Sequence, residues 1–174
     1  MKDYFLFILL LCTYLFSQNN LEVGMKATGW ELKDAGGKLF TMESWSGKIL
    51  QINYVDPDES EMNEHFNDAV KYAIDVDSLI ARDSFKGIGI ADCASSWKPD
   101  FAIRLIGGAK AKKYDTTVLF DYDGDLRKAW GLKEDSYNVI ILDEDRIVRA
   151  IIQGQISEEQ VADLVQLIIN LQNK

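Results

Sequence analysis

The sequence predicts an α/β fold, a three-layer sandwich in which a mixed central β-sheet is covered by helices on both faces. Three observations carry this reading. Strand-like apolar stretches at 48–55, 85–91 and 116–120 are separated by helix-like amphipathic ones. Two further strands, 137–142 and 147–153, are joined by the tight turn Asp143-Glu144-Asp145-Arg146 and read as an antiparallel hairpin. The chain closes on a capped helix with one apolar face.

Each element follows from local pattern. Residues 21–45 alternate short apolar stretches with Gly36-Gly37, which reads as a β-hairpin-like extension (18–47) ahead of the core. In 48–55, Ile49, Leu50, Ile52, Tyr54 and Val55 supply the apolar surface of a strand. Met62, Phe66, Ala69, Val70, Ala73 and Ile74 then recur at helical spacing, with Ser60 or Asp58 as the expected cap. The strand 85–91 carries two glycines, a sign of close packing. Pro99 opens a second helix, whose expected core stripe is Phe101, Ala102, Leu105, Ile106 and Ala109. The strand 116–120 ends in the turn Asp121-Tyr122-Asp123-Gly124, and the helical turn 126–130 is stopped by Gly131. Ser157 and Gln160 form a capping box for the last helix, with Val161, Leu164, Val165, Ile168 and Leu171 on its buried face. No linker or repeat interrupts 18–174, so a single domain is expected.

Composition narrows the function classes. The 174 residues are 47% hydrophobic and 27% charged, ordinary values for a globular chain. A net charge of −9 argues against nucleic acid and anionic lipid as partners, since both attract Lys and Arg. Lys2 followed by the apolar run 4–16 and Ser17 reads as a signal peptide over 1–17. The run falls short of the ~20 apolar residues of a membrane span. The expected location is the periplasm, without stable membrane insertion after cleavage; an uncleaved N-terminal anchor is the alternative. Cleavage near Gln18 removes Cys12 and leaves Cys93 as the one thiol, which excludes an internal disulfide.

Several motifs carry a resemblance. Val23-Gly24-Met25 and Gly47-Lys48, leading into Ile49-Leu50-Gln51-Ile52-Asn53-Tyr54, look like the opening of the thioredoxin/peroxiredoxin superfamily. Thr117-Val118-Leu119-Phe120-Asp121, then Ala129-Trp130-Gly131-Leu132, is similar to a peroxiredoxin strand and turn. Residues 139–148 resemble the hairpin that follows it. With the helix opening Ser157-Glu158-Glu159-Gln160-Val161, the chain as a whole resembles the YtfJ family of exported thioredoxin-like proteins. That resemblance implies a thioredoxin-like sandwich and an exported location, and supplies no reaction.

The same register shows what is missing. A thioredoxin-like C-x-x-C begins at a helix N-terminus, where the dipole favours thiolate. Here the segment reads Asp56-Pro57-Asp58-Glu59-Ser60-Glu61-Met62, with Glu59 and Met62 at the two cysteine positions. Tyr137 stands where the superfamily places a cis-proline or an arginine. The bond before it is expected to be trans, since a non-proline cis bond costs about 3–4 kcal/mol.

The expected function is an exported, redox-inactive thioredoxin-fold module. It would bind a protein or small-molecule partner in the periplasm through a vestigial active-site surface of Asp56, Pro57, Asp58, Glu59, Met62 and Tyr137, with Cys93 and Trp97 as a possible ligand edge. No cofactor is implied. The alternative is a divergent single-cysteine thiol oxidoreductase or peroxiredoxin-like enzyme using Cys93 as its catalytic residue. Against it, no basic residue adjoins Cys93 in sequence, and Asp92 would raise its pKa. Glu61 and His65 lie one helical turn apart and form a weak alternative metal pair; acids at a helix start serve the dipole without any ligand. Asp121, Asp123 and Asp125 fit a β-turn better than a calcium loop, because Leu126 and Leu132 occupy the required Gly and Glu positions. Trp30, Trp45, Trp97 and Trp130 are read as core or rim packing.

Overall fold

The computed structural model describes residues 20–173; the predicted signal peptide lies outside them. Seven strands form one sheet in the order β2-β1-β5-β4-β3-β6-β7. They are β1 (Glu31–Asp34), β2 (Leu39–Thr41), β3 (Ile49–Val55), β4 (Phe85–Asp92), β5 (Thr117–Asp121), β6 (Tyr137–Leu142) and β7 (Val148–Gln153). The central strands β3, β4 and β5 run parallel, while β1, β6 and β7 join antiparallel to their neighbours. The predicted N-terminal hairpin is therefore no appendage: β1 pairs with β5 and extends the sheet.

Period-two alternation in β3 divides the core. Leu50, Ile52 and Tyr54 enter one cluster with Ile88, Ile90, Leu119, Trp30 and Met42, closed by Leu126 and Trp130 of α3 (Asp125–Trp130). Ile49 joins the opposite cluster, where Val139 and Ile141 meet Phe66 and Val70 of α1 (Glu64–Asp75) and Val161, Leu164 and Ile168 of α4 (Glu158–Gln172). Helix α2 (Asp100–Tyr114) packs on β4 and β5 on the α1 side, through Ile103 against Ala91 and Phe120. The three-layer arrangement matches the sequence reading.

Two local expectations need correction. Neither Ser60 nor Asp58 caps α1: Asn63 holds that position, and its buried side chain donates to Gly154 O (2.9 Å) and accepts from Ile156 N (2.9 Å). The cap residue thus clamps the β7–α4 loop instead of its own helix. The expected core stripe of α2 is also wrong. Phe101 and Leu105 are 68% and 70% exposed, Ala109 is exposed as well, and the helix meets the sheet through Ile103 and Gly107. A Cβ on Gly107 would come within 3.1 Å of Phe120 Cζ and Val118 Cγ1, so glycine is what lets α2 approach.

The turns hold as read. Gly124 and Gly131 bracket α3 with φ of 65° and 63°, and the Ser157–Gln160 capping box is formed at α4. Arg146, in the β6–β7 turn, is only 2% exposed. Its guanidinium donates to Lys48 O (2.7 Å), Trp45 O (2.7 Å), Met42 O (3.2 Å) and Asp143 O (3.3 Å), tying the 3-10 turn Met42–Trp45 to the hairpin.

Candidate functional site

The segment that replaces a C-x-x-C lies at the C-terminal edge of the sheet, where open α/β sheets bind ligands. Strand β3 ends at Val55, and Asp56 N donates to Ser136 O (3.0 Å), which fixes the chain at the start of β6. Asp56 Oδ1 accepts from Asp58 N (2.8 Å) and caps a 3-10 turn, Pro57–Glu59, with the buried Pro57 at its first position. Asp56 is itself buried. Burial pushes its carboxyl up to about 6, reinforced by Asp135, Asp92 and Glu59 and opposed by Lys98. Asp58 forms an ion pair with Lys98 and accepts from Ser96 Oγ (2.9 Å). The loop after β3 is thereby fastened to the loop after β4. Glu59 is half-buried, and Met62 packs toward the α1–α4 cluster.

Cys93 follows β4 directly. Its N donates to Asp121 O (2.9 Å), and its half-buried Sγ lies 3.6 Å from Ala91 O. Burial pushes the thiol up to about 12, with Asp100, Asp92 and Asp121 adding to the rise and Arg104 opposing it. Two of these acids have structural partners. Asp92 Oδ2 accepts from Arg127 Nη1 (2.9 Å) and Ser95 Oγ (2.5 Å), and Arg127 also pairs with Glu134 (2.6 Å). Asp121 accepts from Tyr54 OH (2.9 Å) and from Asp125 N (3.2 Å) and Leu126 N (3.0 Å), so it starts α3. Burial, then Asp121 and Asp92, push the Tyr54 phenol above its ordinary value. Asp123 and Asp125 point to solvent, consistent with a turn.

Other expected residues fall elsewhere. Tyr137 is 3% exposed, so it lies beneath the surface to which the sequence assigned it, and its hydroxyl accepts from Asn67 Nδ2 (2.8 Å). The bond before it is trans, as is every described peptide bond. His65 Nε2 lies 2.8 Å from Ile156 O and is occupied there, while Glu61 is exposed. Among the described residues, no group of three or more His, Cys, Asp or Glu is placed to hold a metal. Trp97 corrects the packing reading: it is 82% exposed, with Lys98 Nζ 5.3 Å from its ring centroid. Phe101 and Leu105, further along the same segment, are exposed as well.

Sequence reasoning missed Lys98 and Arg127, the two cations that knit the edge together. Their partners lie 40 and 35 positions away, and no local pattern signals such a pairing. It also missed Gln51, Asn53 and Asn67, although polar residues at alternate positions of an otherwise apolar strand are a readable sign of a polar patch on one sheet face.

The fold is shared with thiol-active proteins. The thioredoxin domain of a thiol-disulfide oxidoreductase from Bacteroides vulgatus superposes with a TM-score of 0.63 at 11% identity, covering 86% of this chain and 99% of that one. The peroxidoxin BcpB from Mycobacterium tuberculosis gives 0.62 at 17%, covering 87% and 97%. The pneumococcal exposed lipoprotein thioredoxin (Etrx1) from Streptococcus pneumoniae gives 0.59 at 14%, covering 80% and 99%. At such identities the likeness establishes a thioredoxin-like fold alone. Among curated proteins, none matches the chain. The model of a family of bacterial proteins of unknown function, YtfJ_HI0045, matches residues 29–171, and the chain belongs to that family.

Proposed function

We propose that this protein is an exported binding module that uses the thioredoxin frame without thiol chemistry. The observation that carries the reading is the state of its one described thiol. Cys93 follows β4 and is not part of the segment between β3 and α1; its half-buried Sγ lies 3.6 Å from Ala91 O, and burial, with Asp100, Asp92 and Asp121, pushes the thiol up to about 12. A thiolate is the nucleophile of every thiol-based redox step, so a thiol held there has almost none at neutral pH. The turn that would cradle a reactive cysteine is instead capped by Asp56 and pinned through Asp58 to Lys98. Binding then falls to the surface of Asp58, Glu59 and Trp97, with Asp56 and Pro57 shaping it from below. The apolar run 4–16 supports export, and the Streptococcus pneumoniae relative in fold is named an exposed lipoprotein. Among the described residues, no helix is long and apolar enough to cross a membrane.

The test is turnover. Disulfide reduction and hydroperoxide consumption are measured for the wild type and Cys93→Ser, and both are expected to stay at background. Turnover that the wild type shows and Cys93→Ser loses would overturn the proposal in favour of a single-cysteine enzyme. Fractionation of the producing cells tests export; full-length protein retained in the cytoplasm would refute that part.

A further inference from the structure

Helices α1 and α2 cover the same face of the sheet but do not close over its middle. Between them is a cavity of about 400 Å³, within the ~300–1,000 Å³ range of small-molecule sites. Val70 and Ile74 of α1 form one wall, and Ile106 and Gly107 of α2 the other. Lys110 and Lys113 of α2 both pair with Glu64 of α1, and this charged strap holds the two walls together.

The floor is unusual. In β4, Gly87 and Gly89 stand beside Gln51 and Asn53 of β3. Packing accounts for Gly89, since a Cβ there would meet Val118 Cγ2 at 3.3 Å. Nothing comparable accounts for Gly87. A Cβ would meet only the Phe85 ring, at 3.8 Å from Cε1 and 3.9 Å from Cζ, ordinary contacts, and its φ lies outside the left-handed region. Glycine weakens a strand, and one with neither a steric nor a conformational reason marks a place kept open for close approach.

A second observation points to a ligand. Gln51 is 3% exposed and lines the cavity, yet its Oε1 has no partner. Its amide is held by a network: Nε2 donates to Asn53 Oδ1 (3.2 Å) and Asn67 Oδ1 (3.0 Å), Asn53 Nδ2 donates to Asn67 Oδ1 (2.9 Å), and Asn67 Nδ2 donates to Tyr137 OH. The network directs every hydrogen of the Gln51 amide to neighbours and leaves its oxygen waiting for a donor. A buried acceptor without one is costly to keep.

We propose that this cleft binds a flat, largely apolar small molecule bearing one hydroxyl or N–H group, which donates to Gln51 Oε1 while its ring lies over Gly87. The inference rests on the binding-module reading and adds to it a second site, apart from the Asp58, Glu59 and Trp97 surface, with a ligand class. The test titrates the protein with 2-naphthol and with naphthalene, which lacks the donor. Saturable 2-naphthol binding is expected, with shifts in the amide resonances of Gly87 and Gly89 and of the Gln51 side chain. Gln51→Leu should weaken 2-naphthol about tenfold, the worth of one hydrogen bond, and leave naphthalene unchanged. Gly87→Leu and Ile106→Trp fill the space from the floor and from the α2 wall, and each should abolish both ligands. No saturable 2-naphthol binding, or resonance shifts confined to other regions of the unmodified protein, would overturn the assignment. So would binding that survives in a folded space-filling variant. Should those variants not fold, the resonance map of the unmodified protein decides. Failure here with no Cys93-dependent turnover refutes the cleft alone; such turnover refutes the binding module, whatever naphthol does.

Discussion

Replacing Asp56 with asparagine should stabilise the protein near neutral pH. The carboxyl rises from an ordinary 3.8 to about 6 on folding, first because it is buried and then because Asp135, Asp92 and Glu59 repel its charge. Between those values the folded chain binds more protons than the unfolded one, so this residue's contribution to stability improves as pH falls from 7 toward 4 and worsens as it rises. The full difference corresponds to ~3 kcal/mol at neutral pH. Solvent at the sheet edge screens part of it, leaving ~1–2 kcal/mol. Asparagine retains the oxygen that accepts from Asp58 N, so the 3-10 turn keeps its cap. Urea unfolding at low salt, at pH 7.5 and pH 4, is the assay. Asp56→Asn should exceed the wild type by ~1–2 kcal/mol at pH 7.5, and the gap should close at pH 4. Comparing variant with wild type cancels the opposite dependence of Glu64, whose carboxyl the strap to Lys110 holds below its usual value. A gap independent of pH, or a variant less stable than the wild type at pH 7.5, would refute the reasoning.

Other residues give sharper single outcomes. Arg146→Met leaves a buried carbonyl at Met42 and part-buried ones at Trp45 and Lys48 without their donor, and should cost ~3–5 kcal/mol in urea unfolding; a loss below ~1 kcal/mol would show that water replaces the guanidinium. Ser157→Ala removes the α4 capping box and should cost ~1 kcal/mol by the same measurement, with no change in Cys93 chemistry. Iodoacetamide should alkylate Cys93 at pH 8 at least ~100-fold more slowly than free cysteine, because the thiolate is so scarce. A rate near that of free cysteine would mean the thiol is neither buried nor surrounded by acids.

Much of the architecture could be read from the letters because its signals are local. The Ser157–Gln160 capping box, the Gly124 turn, the Gly131 stop and the 143–146 turn each depend on a few adjacent residues, and each stands where the pattern put it. Helix α2 escaped because one of its two buried positions on the sheet is a glycine. Gly107 adds nothing to an apolar stripe, so the conspicuous letters Phe101 and Leu105 belonged to the outer face. Arg146 and Tyr137 escaped for a related reason. Burial of a polar group depends on partners far along the chain, such as Met42 and Asn67, and residue type alone does not announce them. The cleft was legible only in part, since alternation marks Gln51 and Asn53 as facing one way but does not say that two helices stand apart above them.

The position of β3 has a consequence for how the chain is made. One of its flanks is completed by β6, with Leu50 paired to Leu142 and Val55 to Tyr137. During synthesis, this central strand keeps an open edge until residues 137–142 have been made. Such long-range closure slows folding and leaves a sticky template available to other chains in the meantime. A ribosome-bound nascent chain ending before residue 137 should therefore need a chaperone, whereas one extended past 142 should begin to shield itself.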